Sequence, residues 1–198
     1  MGWCLLMLDL RIVYAEDAAL VDQAIAGDRE AFGELYERHV GRVYRYLFHL
    51  VQNVDGAQDL TEQTFLRALE AIHRYEKRGV PFVAWLLRIA HNLYINDGRL
   101  QRYNPLIRDN QDGKGESPEL CCEARARAEE VMQAVRALGE DQPQVLILRF
   151  IEGLSYADTA RILGKSVGAV RVAQYRALRA LRQRLEDGDL GQHSRSSG

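Results

Sequence analysis

The sequence predicts an all-α protein made of two small helical domains joined by a flexible linker. Apolar residues recur at spacings of three and four along most of the chain, and no segment shows the sustained alternation of a half-buried strand. Residues 103–118 read YNPLIRDNQDGKGESP, a polar stretch with the Pro, Gly, Asp and Asn content of a linker. The predicted order is an N-terminal extension at 1–16, a first domain at 17–102, the linker at 103–118, a second domain at 119–186 and a disordered tail at 187–198.

Composition and motifs argue against a membrane protein and against an enzyme. Of the 198 residues, 47% are apolar and 27% are charged, as in ordinary soluble proteins, and no apolar run approaches the roughly 18–20 residues that cross a bilayer. The cysteines Cys4, Cys121 and Cys122 have no C-x-x-C spacing and are predicted to be free thiols. Because the chain also lacks nucleophile, phosphate-loop and metal-ligand motifs, we expect a cytoplasmic protein without a catalytic centre, metal or cofactor.

The formal net charge of -2 hides a strong asymmetry along the chain. Residues 143–185 carry eight Lys and Arg against two acids, a balance of +6, so the rest of the chain carries -8. A cluster of cations at one end of a mildly acidic chain indicates that this end binds a polyanion.

Four helices are predicted in the first domain. A short helix ends at a Gly27-Asp28 break, where Asp28 is the expected N-cap of a long second helix. A third helix covers residues 55–75, and a fourth has Pro81 in its first turn. The apolar positions of the second helix are Phe32, Leu35, Tyr36, Val43, Leu47 and Leu50, and those of the fourth are Trp85, Ile89 and Leu93.

Two capped helices follow each other closely in the second domain. Ser155 and Asp158 have the spacing of a capping box, and the helix that they start is expected to end at Gly164 in the left-handed conformation. Ser166 then caps the next helix. This arrangement predicts a helix-turn-helix motif, whose second helix enters the major groove when the motif binds DNA.

The second helix of this motif has an apolar side and a basic side. Val170, Ala173, Ala177, Leu178, Leu181 and Leu185 form the predicted core stripe. On the other side, Arg171, Tyr175 and Arg176 are the candidates for base contact, because guanidinium groups read guanine edges and residues near the helix start reach furthest. The predicted duplex-binding set is Lys165, Ser166, Arg171, Val172, Tyr175, Arg176, Arg179 and Arg182. A solvated basic face is the alternative interpretation.

Three segments of the chain resemble one known family. The stretches FGELYERHVGRVYRYLFHLVQNVDGAQDLTEQTFLRALEAI, PFVAWLLRIAHNL and LRFIEGLSYADTARILGKSVGAVRVAQYRALRALR are similar to conserved regions 2 and 4 of bacterial extracytoplasmic-function sigma factors, the smallest members of the sigma-70 family. The resemblance implies a dissociable subunit of RNA polymerase. Its region-2 domain would bind the core enzyme and read the minus-10 promoter element as single strand, and its region-4 domain would read the minus-35 element as duplex. Many family members are also held by an anti-sigma factor.

The resemblance places the core-polymerase contact on the segment DLTEQTF. The residues at the motif positions are Asp59, Leu60, Glu62 and Gln63. The family usually reads D-L-x-Q-E, and this chain has the last pair reversed. Leu60, beside three polar groups at a helix start, is expected to be an apolar anchor inside a charged rim. Acids at a helix start also complement the helix dipole, which is the alternative role for them.

The resemblance places the minus-10 contact on a loop and on the fourth helix. The loop HRYEKRG combines an aromatic ring with cations, so that Tyr75 would stack on a base while its basic neighbours hold the backbone. On the helix, an asparagine side chain can pair with a base edge. The predicted single-strand set is Arg74, Tyr75, Lys77, Arg78, Arg88, Asn92, Asn96 and Arg99.

Two other functions are compatible with a helix-turn-helix domain. The chain could be a stand-alone transcription regulator whose first domain senses a ligand or dimerises, or an interaction module that binds an acidic partner through its basic helix. A sigma factor needs both the DLTEQ surface and the aromatic and basic loop. Because both are present, the sequence favours the sigma factor, with core RNA polymerase and promoter DNA as partners.

Overall fold

The computed structural model describes residues 17–76, 79–103, 130–139 and 142–193, with side chains described for all of these except 98–103 and 185–193. Every regular element in these ranges is helical, as the sequence predicts. The chain divides into two compact units, one on each side of the bond between Gly113 and Lys114. The predicted N-terminal extension, and the predicted linker beyond Tyr103, lie outside the described residues.

Over its described residues, the first unit is a bundle of four helices with well-defined caps. Helix α1 covers residues 17–25, α2 covers Arg29–Val51, α3 covers Val54–Ala71 and α4 covers Phe82–Tyr103. The N-cap role of Asp28 is confirmed, since its carboxylate accepts hydrogen bonds from the backbone N–H groups of Glu30 and Ala31. Asn53 caps α3 in the same way, and a short 3₁₀ turn at Ile72–Arg74 extends α3 towards α4.

The core of this unit lies among α2, α3 and α4. Each of the three helices contributes buried apolar side chains. These are Leu35, Val43, Tyr46 and Leu47 of α2, then Ala57, Phe65 and Ala68 of α3, and finally Val83, Leu86, Leu87 and Ala90 of α4. The buried face of α4 therefore differs from the predicted one. Of the three residues expected to face the core, Leu93 is buried, but Trp85 and Ile89 are only half-buried. The reason is that α4 packs on two helices at once, which turns the Val83 side of α4 inward.

A buried polar pair fastens α1 to α2. Asp17 Oδ2 lies 2.8 Å from His39 Nε2, and both side chains are almost completely buried. Arg38 adds a longer ion pair, 3.5 Å from its Nη1 to the other Asp17 oxygen. Buried polar groups are costly without a partner, so this pairing fixes the position of α1.

Among the described residues of the second unit, four helical segments pack around a long C-terminal helix. Helix α5 covers residues 130–136, α6 covers Gln142–Leu146 and continues as a π-helical turn at Ile147–Ile151, α7 covers Tyr156–Leu163 and α8 covers Val167–His193. One core cluster joins Val135, Leu138, Leu146 and Ala177, and a second joins Val145, Ala160 and Val170. Arg184 Nη2 also donates to the carbonyl of Ala137 at 2.9 Å. Helix α8 is therefore held along much of its length.

Helix α8 runs further than the sequence predicts, since it continues through His193, where a disordered tail was expected from residue 187. Helix α4 likewise continues through a glycine, Gly98, to Tyr103. Once a helix is nucleated, each added residue gains a hydrogen bond at small cost, so polar residues, or a glycine that keeps helical backbone angles, need not stop it.

Candidate nucleic-acid interfaces

The turn between α7 and α8 has the predicted geometry. Ser155 Oγ accepts from the N–H of Asp158 at 3.1 Å and donates to the Asp158 carboxylate at 2.5 Å. Helix α7 ends at Gly164 in the left-handed conformation, with φ 62° and ψ 31°. Two residues later, Ser166 Oγ accepts from the N–H of Ala169 at 3.1 Å. The predicted helix-turn-helix is thus confirmed, with Ser166 acting as a cap.

Helix α8 turns a basic face to solvent. Arg171, Arg176, Arg179 and Arg182 are exposed, Lys165 is half-buried at the turn, and the side chains of Tyr175 and Val172 are 68% and 49% exposed. The structure therefore presents the predicted duplex-binding set on one side of a supported helix. Leu178 is the exception to the predicted core stripe, since it is 42% exposed beside this face. The short side chains of Ala173 and Ala177 bring α8 close to its neighbours, which leaves Leu178 outside the contact.

Arg149, which was not among the residues predicted from the sequence, packs against the first turns of α8. The guanidinium of Arg149 donates to the carbonyl of Leu154 and, from Nε at 3.3 Å, to Gln174 Oε1. Its Cζ lies 4.0 Å from the centroid of the Tyr156 ring, and the Cζ of Arg171 lies 5.3 Å from the same centroid. Arg149 comes from the π-helical turn, and no periodicity in the sequence marks that turn.

In the first unit, an open groove of about 500 Å³ lies between α3 and α4. Three members of the predicted single-strand set line it: Arg74 from the 3₁₀ turn, with Asn92 and Asn96 from α4. The other lining residues are Arg67, Glu70, Ala71, Ile89 and Leu93. Arg67 and Glu70 were missed, although their spacing of seven and four residues before Arg74 places all three on one helical face.

Of the rest of the predicted single-strand set, only Tyr75 and Arg88 have described side chains, and neither lines this groove. Arg88 is exposed one turn before Asn92, Lys77 and Arg78 lie outside the described residues, and the side chain of Arg99 is not among those described. The groove therefore gathers residues from two segments that the sequence analysis treated separately.

Tyr75 is engaged in packing and is not the open stacking platform that the sequence predicted. Its ring lies 5.1 Å from the Trp85 ring and 5.7 Å from the Phe82 ring, between centroids. Its hydroxyl donates to the carbonyl of Val80 at 2.5 Å. Burial, and secondarily the charge of Asp17, raises the pKa of Tyr75 to about 12. A ring on the apolar side of the loop gains more from this aromatic cluster than from water.

The second and third turns of α3 present three of the four predicted polymerase-binding side chains. Asp59, Glu62 and Gln63 are exposed. Leu60 is only 5% exposed, so the prediction of an outward-facing anchor is wrong. The periodicity of α3 explains this, because Leu60 lies on the inward face with the buried residues Thr61 and Thr64, whose hydroxyls donate to backbone carbonyls one turn earlier.

Within the described ranges, no helix is both long enough and apolar enough to span a membrane. Nor do three metal-ligating side chains converge anywhere in that part of the chain. The surfaces that stand out are a groove lined by guanidinium and amide groups in one unit and a capped helix-turn-helix in the other. Together they define a two-domain, all-helical nucleic-acid-binding protein.

Comparison with known proteins gives the family. The model of Sigma-70 region 2 matches residues 35–103, and that of Sigma-70 region 4 matches residues 128–181. The chain belongs to the sigma-70 family, among its ECF members. This membership makes it a promoter-recognition subunit that acts in transcription initiation.

Relatives cover most of the chain. The ECF RNA polymerase sigma factor BldN of Streptomyces coelicolor is 38% identical over 172 residues, which are 85% of this chain and 65% of BldN. SigD of Mycobacterium tuberculosis is 34% identical over 177 residues, which are 85% of this chain and 82% of SigD. Among solved structures, CnrH in complex with the cytosolic domain of CnrY has a TM-score of 0.66 at 27% identity, covering 86% of this chain and 97% of CnrH.

Proposed function

We propose that this chain reads the minus-35 element as duplex through α8 and the minus-10 element as separated single strand through the groove between α3 and α4. The observation that carries the proposal is the groove, which brings Arg74, Asn92 and Asn96 together from two elements. In a stand-alone regulator, such a groove would be a ligand site of the first domain; the sigma-70 membership of the chain favours single-stranded DNA as its ligand instead.

The basic face of α8 has the chemistry of a duplex reader. Arg171, Tyr175 and Arg176 lie in its first three turns, where a recognition helix reaches base edges. Arg179, Arg182 and Lys165 supply phosphate contacts, which give affinity without sequence preference.

The groove has the chemistry of a single-strand reader. Asn92 and Asn96 can each donate to and accept from a base edge, and the guanidinium groups of Arg67 and Arg74 can hold phosphate or stack on a base. A base removed from the duplex loses stacking worth a few kcal/mol, and such a groove offsets that loss. Arg88, Arg99, Lys77 and Arg78 would extend the contact along the strand.

Core RNA polymerase would be bound by Asp59, Glu62 and Gln63, which are exposed on the second and third turns of α3. The chemistry of RNA synthesis would then reside in the core enzyme, and this chain would have no catalytic centre of its own. It would act where the polymerase acts, in the cytoplasm. Because CnrH forms a complex with another protein's cytosolic domain, we include a regulatory protein of the anti-sigma type among the proposed partners.

The proposal is tested by footprinting. Holoenzyme reconstituted from this chain and bacterial core polymerase is used to select duplexes from a random library, and the bound duplexes are probed with nuclease and with permanganate, which modifies unpaired thymines. We expect a protected upstream block and a downstream block with reactive thymines. The Asn96→Ala variant should lower that reactivity by about fivefold, the value of one lost base-edge pair.

The Arg29→Ala variant is the control, because Arg29 is an exposed cation on α2 that does not line the groove. It should leave the permanganate pattern unchanged. Protection of a duplex by the free chain, with no reactive thymines when core polymerase is added, would instead identify a stand-alone regulator.

A further inference from the structure

We propose that Tyr156 is a positioning residue that orients Arg171 for base recognition, with Arg149 holding the Tyr156 ring from below. The proposal rests on the function proposed above for α8. It adds a residue of α7 and a residue of the π-helical turn, neither of which belongs to the recognition helix, to the determinants of promoter specificity.

Arg149 is held from three directions. Its guanidinium donates to the carbonyl of Leu154 and to the side chain of Gln174, and it lies over the Tyr156 ring at 4.0 Å. These partners belong to the loop before α7, to α8 and to α7. Arg149 is half-buried, so its charge serves the fold and is not part of the exposed basic face.

Tyr156 is held in turn by its surroundings. Its ring is half-buried and packs on the core cluster of Val145, Ala160 and Val170, next to Arg149. Val170 immediately precedes Arg171. The ring therefore keeps a constant position relative to the start of α8.

Arg171 is the exposed partner of this arrangement. Its side chain is exposed, and its Cζ lies 5.3 Å from the Tyr156 centroid, within the range of a cation–π interaction. A free arginine side chain has many rotamers, and bidentate pairing with guanine needs one narrow orientation. Because the ring limits those rotamers before DNA is bound, part of the ordering entropy is removed from the binding step.

The test measures base discrimination with holoenzyme made from the full chain and bacterial core polymerase. A random duplex library first gives the preferred upstream sequence, and fluorescent duplexes that differ from it by one base pair then give relative affinities. Arg171→Ala identifies the position that Arg171 reads. Tyr156→Leu removes the ring and keeps an apolar side chain, and Tyr156→Phe keeps the ring and removes the hydroxyl.

We expect Tyr156→Leu to reduce discrimination at that one position by about two- to fivefold, the equivalent of one exposed cation–π contact. Tyr156→Phe should behave as the unaltered chain. In the Arg171→Ala background, Tyr156→Leu should have no further effect, because both changes remove the same interaction. If the leucine variant does not fold, Tyr156→Met replaces it, since methionine fills irregular core gaps.

Three results would overturn the proposal: unchanged discrimination in Tyr156→Leu, an equal loss in the Arg171→Ala background, or a loss in Tyr156→Phe, which would mean that the hydroxyl itself contacts DNA. A chain that enriches no duplex sequence together with core polymerase would instead contradict the proposed function.

Discussion

Tyr75 shows how its surroundings change the chemistry of one residue. Its hydroxyl is tied to the carbonyl of Val80, its ring packs on Trp85 and Phe82, and its pKa is raised from 10.0 to about 12 by burial and by Asp17. A phenol whose folded-state pKa is raised stabilises the fold fully below the unfolded pKa. That contribution is lost as the pH rises from about 10 to about 12.

At the residue scale, we therefore predict a loss of stability in alkali that depends on Tyr75. From about pH 10 to about pH 12 the first unit should lose about 1–2 kcal/mol through this group, since each unit of pKa shift corresponds to about 1.4 kcal/mol and the partial exposure of the ring reduces the effect. Tyr75→Phe should remove this part of the pH dependence. Urea unfolding followed by tryptophan fluorescence measures it, because both tryptophans, Trp3 and Trp85, belong to the first unit.

Subtracting the free energy of unfolding of Tyr75→Phe from that of the unaltered chain at each pH removes the contribution of the other tyrosines. Parallel loss of stability in Tyr75→Phe and in the unaltered chain would show that the phenol ionises without cost to the fold.

The same residue marks the limit of prediction from sequence at this scale. Tyr75 and Leu60 were both expected to face a partner, but Leu60 is buried and the half-buried ring of Tyr75 packs on Trp85. An apolar side chain serves a core or an interface by the same physical property, so composition and spacing alone do not separate the two roles. Charged and amide side chains such as Asp59 and Asn96 were placed correctly on the surface, because burying them without partners is costly.

At the element scale, the turn between α7 and α8 depends on Gly164. Its φ of 62° is unfavourable for residues with a Cβ, and a Cβ built there meets nothing within 4 Å, so the cost of alanine is purely conformational. Gly168 lies inside α8, and its Cβ would make only an ordinary contact of 3.9 Å with Ser166 Oγ. The same change to alanine is therefore expected to have opposite effects on stability at Gly164 and at Gly168.

We predict that Gly164→Ala destabilises the second unit by about 1–2 kcal/mol and that Gly168→Ala stabilises it by about 0.5–1 kcal/mol. Hydrogen exchange of the α7 and α8 amides, read by mass spectrometry, measures this locally. Exchange should be roughly 5 to 30 times faster in the first variant and slower in the second. A change of the same sign in both variants would contradict this account of the turn.

The helix ends predicted from the sequence were most accurate where a capping residue marks them. Asp28, Ser155, Ser166 and Gly164 all cap helices where expected, because a side-chain oxygen or a missing Cβ acts locally. The π-helical turn at Ile147–Ile151 gave no such signal. It inserts one extra residue per turn in response to tertiary packing, and it is the element that places Arg149 beneath Tyr156.

At the scale of the whole molecule, the charge asymmetry corresponds to two kinds of surface. Four of the eight basic residues of 143–185, namely Arg171, Arg176, Arg179 and Arg182, lie on the exposed face of α8, where a duplex can neutralise them. The first half of α3 presents Asp59 and Glu62. The family and the helix-turn-helix followed from the sequence motifs. The groove did not, because it depends on how α3 and α4 pack, which no local pattern states.

The central claim is that this chain acts as part of RNA polymerase, and binding of the full chain to purified bacterial core polymerase tests it most directly. The Asp59→Arg variant reverses a charge on the proposed docking surface, and Glu37→Arg makes the same change at an exposed acid on α2. We predict tight binding by the unaltered chain and by Glu37→Arg, and at least about tenfold weaker binding by Asp59→Arg. A chain that does not bind core polymerase, and yet binds a specific duplex alone, would contradict the account.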